Sequence, residues 1–286
     1  MERTFLVAGG DARQRAIVQM LKERGAAVHS FGLDRGDRLT PEMVARLGAA
    51  EVVLLPLPAV DGSGFLNAPT MEKKLPAAML WPLLQPGQKI FGGMLPETVL
   101  RAAAEYHLSL TDYYQREEFV LRNAYITAES ALQLTMERLR QTVRGTDCLI
   151  LGYGRIGRFL AGILLALGAK VRVADRRGEE LVRAELEGCE TCALEGLAEI
   201  LPESRVVYNT IPHLILDRAL LQMLPKRCLC VDLASNPGGV DFGAAEELGV
   251  ETVWALGLPG KAAPDAAGGA ILDTVLRILS EQEVSD

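Results

Sequence analysis

Cys148-Leu-Ile-Leu-Gly-Tyr-Gly-Arg-Ile-Gly157 reads as a short buried strand, a Gly-x-Gly-x-x-Gly turn and the opening of a helix. The helix continues through Arg158-Phe-Leu-Ala-Gly-Ile-Leu-Leu-Ala-Leu167. Each glycine answers a separate need in such a turn. Gly152 permits the tight bend, Gly154 lets backbone approach a pyrophosphate, and Gly157 lets helix and strand pack closely. Tyr153, Arg155 and Ile156 fill the intervening positions, and the helix N-terminus turns its N–H groups and positive dipole end toward phosphates. A second strand follows at Lys170-Val-Arg-Val-Ala174, with Asp175 where a ribose-binding acid belongs, about 20 residues on. Arg176 and Arg177 come next, and they suit the 2′-phosphate of NADP as Asp175 suits the 2′-hydroxyl of NAD. The residues alone leave that choice open.

Working outward, strand and helix alternate on both sides of this turn. Thr4–Ala8, Gly9-Gly10 and a helix near Asp11 to Arg24 make a second strand–turn–helix unit, with Ala16, Ile17, Met20 and Leu21 on one helical face. It lacks the third glycine, and Asp11 stands where phosphates would press. This turn is therefore expected to take substrate, through its backbone N–H groups and Arg13, unless Asp11 only caps the helix. Strands near Ala27, Glu51, Lys89 and His107 alternate with helices at 41–47 and 96–106. A helical run without glycine or proline extends from Glu117 to about Thr142 and reads as a connector, with Asn123, Thr127 and Glu129 as its polar residues. Beyond Gly157 come helices near 179–187, 194–201, 217–223 and 242–248. Strands are expected near Thr191, Arg205, Cys228 and Glu251, with a helical tail from Ala266. Such alternation implies parallel sheets covered on both faces. The expected fold is α/β, with two doubly wound parallel-sheet domains. Residues 1–120 form a flavodoxin- or Rossmann-like substrate and partner domain, 121–145 a connecting helix, and 146–264 a Rossmann-type NAD(P)-binding domain. The tail at 265–286 is expected to pack back on the first domain.

Three polar clusters fall at strand ends of the second domain, where ligands of open parallel sheets bind. Thr210, Ile211 and Pro212 suit the nicotinamide ribose. Leu233 and Ala234 lie in Asp232-Leu-Ala-Ser-Asn-Pro-Gly-Gly239 on the same path. Pro259 and Gly260 suit a backbone carbonyl facing the carboxamide. Asp232 and His213 are the candidate proton acceptors, His213 also suiting an ordinary surface role. Arg116 and Lys261 join Arg13 as cations for an anionic substrate.

The chain has 286 residues, 49% hydrophobic and 23% charged, with a net charge of −7. That balance argues against nucleic acid or an anionic membrane as the main partner. No apolar run reaches the roughly 18 residues of a membrane span, and the N-terminus enters a strand at once, so a cytoplasmic location is expected. Cys189-Glu-Thr-Cys192 has the spacing of half a zinc site, but no second pair completes it, so no metal is expected and reduced thiols are.

Gly9-Gly-Asp-Ala-Arg-Gln14, Gly152-Tyr-Gly-Arg-Ile-Gly157, Asn209-Thr-Ile-Pro212, Asp232-Leu-Ala-Ser235 with Pro237-Gly-Gly239, and Gly257-Leu-Pro-Gly260 with Ala263-Pro264 resemble the dipicolinate synthase A subunits. The motifs keep that family's order and span nearly the whole chain. The resemblance implies oxidation of a dihydrodipicolinate precursor to pyridine-2,6-dicarboxylate, with NADP as hydride acceptor. It also implies a partner, the smaller, flavoprotein-like B subunit of dipicolinate synthase. The setting it implies is the mother cell of a sporulating bacterium, and it is compatible with a homo-oligomer. The family tends to have a small residue before Arg at the second strand end. Asp175 replaces it here, so NAD remains the alternative. Two other readings fit the two-domain layout. One is a dehydrogenase of the 2-hydroxy-acid or shikimate type, although its usual catalytic set is not visible. The other is a nucleotide-binding scaffold whose flavoprotein partner does the chemistry.

Overall fold

The computed structural model describes residues 3–285 and divides the chain into two compact units, Met1–Asn123 with Ala263–Asp286, and Ala124–Ala262. Met1, Glu2 and Asp286, the outermost residues of the expected first domain and tail, lie outside the described residues.

The first unit runs β1 (Thr4–Ala8), α1 (Ala12–Glu23), β2 (Ala27–Phe31), α2 (Pro41–Ala49), β3 (Val52–Leu54), β4 (Lys89–Gly92), α3 (Glu97–Ala104) and β5 (Leu110–Asp112). Its five strands are all parallel, in the order β2-β1-β3-β4-β5. The strand order reverses between β1 and β3, and at such a point the carboxyl ends diverge and leave a crevice. α1 begins on a capping box, in which Asp11 accepts from the first-turn backbone and the Gln14 side chain accepts from the Asp11 N–H. Two short 3-10 turns, Ala77–Met79 and Trp81–Leu83, lie where Pro76 and Pro82 interrupt the chain. Trp81, Phe31, Phe91 and Tyr113 are fully enclosed in this unit.

α4 (Glu117–Arg138) ends four residues earlier than the expected Thr142. Leu139 and Val143 are buried, and Gly145, at a φ of 76°, donates its N–H to Gly168 O at 2.8 Å. Burying both apolar side chains while turning back to that carbonyl ends the helix.

The second unit contains β6 (Asp147–Leu151), α5 (Arg155–Ala166), β7 (Lys170–Asp175), α6 (Gly178–Leu186), β8 (Glu190–Ala193), α7 (Leu197–Ile200), β9 (Val206–Asn209), α8 (Arg218–Leu221), β10 (Leu229–Asp232), α9 (Phe242–Leu248), β11 (Glu251–Trp254) and α10 (Leu258–Ala262). Its six strands are parallel, in the order β11-β10-β9-β6-β7-β8, and the order reverses between β6 and β9. Two apolar cores cover the two faces of this sheet. One core encloses a hydroxyl chain, in which Tyr208 OH donates to Thr135 Oγ1 at 2.7 Å and Thr135 donates to Ala131 O at 2.8 Å. α10 is an addition to the expected elements, because Gly257 and Pro259 look like loop residues.

α11 (Pro264–Ser285) belongs to the first unit and packs along α1. Gly268 makes that approach possible, since a Cβ there would lie 2.6 Å from Arg13 O.

Thr135→Val should leave the buried Tyr208 hydroxyl without its partner, at a cost of about 1–3 kcal/mol. Denaturant unfolding checks this, and Thr135→Ser, which keeps the hydroxyl, should lose clearly less.

Candidate functional site

The turn after β6 has the stereochemistry of a phosphate-binding loop. Gly152 sits at a φ of 92°, which side chains disfavour. A Cβ on Gly157 would lie 2.2 Å from Gly152 O, so only glycine lets α5 begin this close to the strand. Gly154 differs from both. A Cβ there would meet nothing within 4 Å, and its φ of −78° suits any residue. No side chain caps α5, whose first turn starts at Arg155 and Ile156. An open approach beside an uncapped N-terminus fits a dinucleotide's pyrophosphate. Tyr153 points the other way, into the core. Its hydroxyl donates to Glu187 Oε2 at 2.5 Å, and the Arg158 guanidinium lies 5.8 Å from its ring centre. Burial and that bond to Glu187 push its phenol above the usual range.

The end of β7 gathers the acid and the two arginines. Asp175 is buried and accepts from Tyr153 N at 2.7 Å, Arg177 N at 2.9 Å, and both Arg177 Nε and Nη2 at 3.3 Å. Burial alone would raise this carboxyl, but the Arg177 side chain and the two backbone donors outweigh it and hold it below the ordinary Asp value. Its contribution to stability is present above the ordinary Asp range and is lost as pH falls through the lowered value. Arg177 is thus committed to Asp175, whereas Arg176 is exposed.

Beyond β9, Thr210 Oγ1 donates to Leu151 O at 2.9 Å and to Gly152 O at 3.2 Å, which fastens this loop to the glycine turn. Ile211 is half-buried, while Pro212 and His213 are exposed. Asp232 is 0% exposed. Its Oδ1 accepts from Asn209 Nδ2 at 2.8 Å and Ala234 N at 3.1 Å, and its Oδ2 accepts from Gly239 N at 2.8 Å. A carboxylate enclosed by three donors is not open to a substrate proton, so the expected proton-acceptor role meets a group already engaged. Leu233 and Ala234 are buried, so their side chains lie away from the surface of the loop. Pro259 and Gly260 are buried within α10 rather than lying in an open loop, and Lys261 on the same helix is exposed.

In the first unit, Arg13 forks onto Asp11, with Nε–Oδ1 at 2.9 Å and Nη2–Oδ2 at 2.8 Å, and Nη2 also reaches Leu57 O at 2.6 Å. The reversal point between β1 and β3 is therefore spanned by a buried guanidinium. Burial opposes ionisation of Asp11, but Arg13 outweighs it and the carboxyl lies below its ordinary value. Asp11 both caps α1 and neutralises Arg13. Arg116 is not an open cation. It grips Glu281 on α11 at 2.7 and 2.8 Å and Glu118 at 2.8 Å. The sequence marks Asn209 as part of a strand-end motif but not its bridging of Ile211 and Asp232, and it passes over Trp254, whose Nε1 donates to Ala234 O at 3.1 Å. For Trp254 its position at the end of β11 is the one signal in the sequence.

Among the described residues, no group of three or more His, Cys, Asp and Glu side chains is placed to hold a metal ion. All five cysteines are free thiols, and burial pushes Cys189 up to about 11.

Two family models each match part of the chain. Residues 4–114 match the N-terminal domain of the dipicolinate synthase A subunit, and residues 113–234 match the NAD binding domain of the D-isomer specific 2-hydroxyacid dehydrogenases. The dipicolinate synthase A subunit of Bacillus subtilis (strain 168) is 29% identical over 98% of this chain and 97% of its own length. The chain is a relative of the dipicolinate synthase A subunit. The crystal structure of the Bacillus subtilis A subunit superposes with a TM-score of 0.82 at 28% identity, covering 100% of this chain and 98% of that one. The A-subunit structure from Bacillus halodurans gives 0.83 at 27% identity, covering 98% of each chain. A nicotinamide-nucleotide-binding dehydrogenase domain is thus carried on a chain similar from end to end to this A subunit.

Gly154→Ala should fold with an unchanged melting temperature, because its Cβ meets no protein atom. It should nevertheless weaken nucleotide binding by about tenfold or more, since the methyl occupies the pyrophosphate's approach. Calorimetric titration with NADP and NAD checks both halves.

Proposed function

We propose that this chain is the dehydrogenase subunit of a dipicolinate synthase, which oxidises dihydrodipicolinate to pyridine-2,6-dicarboxylate with NADP. The observation that carries the reading is the open Gly154 approach beside an uncapped α5, on a chain with end-to-end similarity to the dipicolinate synthase A subunit. Aromatisation removes one hydride and one proton from the dihydropyridine. NADP, when bound, would supply the hydride acceptor, and the proton would leave to a protein base or water. The chain's own residues must hold two carboxylates and receive that proton. Lys261, exposed on α10 of the second unit, is the cation this reading gives a substrate carboxylate, whereas Arg13 of the first unit is buried and engaged by Asp11 and Leu57 O. His213 is the remaining candidate proton acceptor, an exposed imidazole just beyond β9. Arg116 serves instead as a brace to α11.

NADP is favoured over NAD by the state of Asp175. Its oxygens are turned to Tyr153 N and Arg177, and the exposed Arg176 is left to meet a 2′-phosphate. Arg176→Ala should weaken NADP binding about 10- to 100-fold and leave NAD almost unchanged. Equal effects on the two nucleotides would count against this assignment.

The partner in this reading is the dipicolinate synthase B subunit, and the setting is the cytoplasm of the mother cell. Among the described residues, no helix is long and apolar enough to cross a membrane. A second reading, oxidation of a 2-hydroxy acid, draws on the match of residues 113–234 to that dehydrogenase domain. The deciding experiment supplies freshly generated dihydrodipicolinate to the purified chain with NADP or NAD, with and without the B subunit. Dipicolinate is read by terbium luminescence. Product from this chain with NADP alone is the expected result. Product only with the B subunit present would favour a shared site or a scaffold, and none under any condition would favour the 2-hydroxy-acid reading.

A further inference from the structure

Asp232 and Asn209 form a buried hydrogen-bonded hub. Asp232 takes donors from three places: the Asn209 side chain, Ala234 N and Gly239 N. Asn209 in turn clasps the loop after its own strand, with Nδ2 donating to Ile211 O at 2.9 Å and Oδ1 accepting from Ile211 N at 3.2 Å. The loop after β10 is wound tightly on this pair. A Cβ on Gly238, at a φ of 82°, would lie 2.9 Å from Asp232 Oδ2, and one on Gly239 would lie 2.2 Å from Asn209 Nδ2. Gly239 O then accepts from Ile215 N at 3.0 Å and Leu216 N at 2.9 Å, which ties the far side of the β9 loop to the same place. Trp254, stacked on Phe242, fixes Ala234 O from the edge strand.

The network thus holds two loops, 210–216 and 233–240, against each other at the carboxyl ends of β9 and β10. Within the second loop Leu233, Ala234, Gly238 and Gly239 are buried, and only Ser235, Asn236 and Pro237 are exposed. Enclosing a carboxylate costs free energy unless its hydrogen bonds are met, and here the backbone of the loop itself meets them. The arrangement specifies one loop shape. In a sheet whose order reverses between β6 and β9, this shape bounds the nicotinamide side of a dinucleotide, while the end of β7 takes the adenosine side.

We infer that Asp232 and Asn209 are positioning residues, which set the 210–216 and 233–240 loops to receive the nicotinamide half of the nucleotide. The inference rests on the proposed NADP binding. Neither side chain touches the reacting atoms, and Asp232 takes no proton from substrate.

The test separates the two halves of the nucleotide. β10 and β7 are three strand spacings apart, about 14 Å, so a local change at the hub leaves the adenosine end alone. Asp232→Asn and Asn209→Ala, in the full chain, are titrated by calorimetry with NADPH and with 2′,5′-ADP, which lacks the nicotinamide. Fluorescence of bound NADPH reports the setting of its nicotinamide. Both variants should lose about tenfold in NADPH affinity, keep 2′,5′-ADP affinity within about twofold, and shift the bound NADPH emission toward that of free nucleotide. Trp254→Phe is the milder companion. It keeps an aromatic ring against Phe242 but removes the bond to Ala234 O, and it should show the same selectivity with a loss of about threefold. It decides the matter if the hub variants do not fold. Unchanged NADPH binding, or equal loss of both ligands in a folded variant, would overturn the inference. Failure of the unaltered chain to bind either ligand would instead remove the nucleotide reading on which it rests.

Discussion

The nucleotide end of the second unit depends on how closely α5 approaches the end of β6. The Gly152 carbonyl occupies the place a side chain at residue 157 would need, 2.2 Å from the position of its Cβ. That contact fixes where the helix begins, and so where its unpaired N–H groups and positive dipole end point. It also brings Gly152 O within reach of Thr210, which draws the β9 loop to the turn. Tyr153, buried beneath, holds the turn from below through Glu187 and offers its N–H to Asp175. One steric constraint thereby sets the relative places of three strand ends.

A second theme is the treatment of acids at strand ends. Parallel sheets collect backbone N–H groups at their carboxyl ends, and among the aspartates turned onto them are the three of the candidate sites. Asp11 caps α1 and pairs with Arg13, Asp175 accepts from the glycine turn and Arg177, and Asp232 is enclosed by a side-chain amide and two loop N–H groups. Two of the three have a cation to offset their charge. Asp232 has only dipoles, which makes its geometry the most demanding, because a lost donor inside a low-dielectric interior is not replaced by water. None of the three presents a bare carboxylate to the strand-end surface.

Much of this is legible in the sequence because glycine and period-two apolar strands carry strong stereochemical meaning. Gly152, Gly154 and Gly157 each lie in the environment their spacing implies, and the two doubly wound sheets follow from the alternation of strand and helix. What is not legible depends on contacts distant along the chain. Arg116 looks like an open cation until Glu281, 165 residues away, is brought beside it by α11. Asp175 stands where a ribose ligand belongs, but its bond from Tyr153 N, 22 residues earlier, is not visible locally. The end of α4 is hidden because Leu139 and Val143 continue a helical pattern locally, yet bury better once the chain turns toward Gly168. α10 forms at Leu258–Ala262 even though its glycine and proline favour a loop, since Leu258, Pro259 and Gly260 are all buried there.

In the proposed reaction this chain itself moves hydride from the dihydropyridine to the nucleotide. The most direct measurement uses dihydrodipicolinate deuterated at its saturated ring carbons, with NADP and the purified chain alone, followed by mass spectrometry of the recovered nucleotide. Hydride transfer on this chain predicts one deuterium per NADPH formed, with another lost as a proton and any remaining label kept on the aromatic ring. Dipicolinate formed with no deuterium on the nucleotide, or no turnover until a flavin-bearing partner is added, would contradict it.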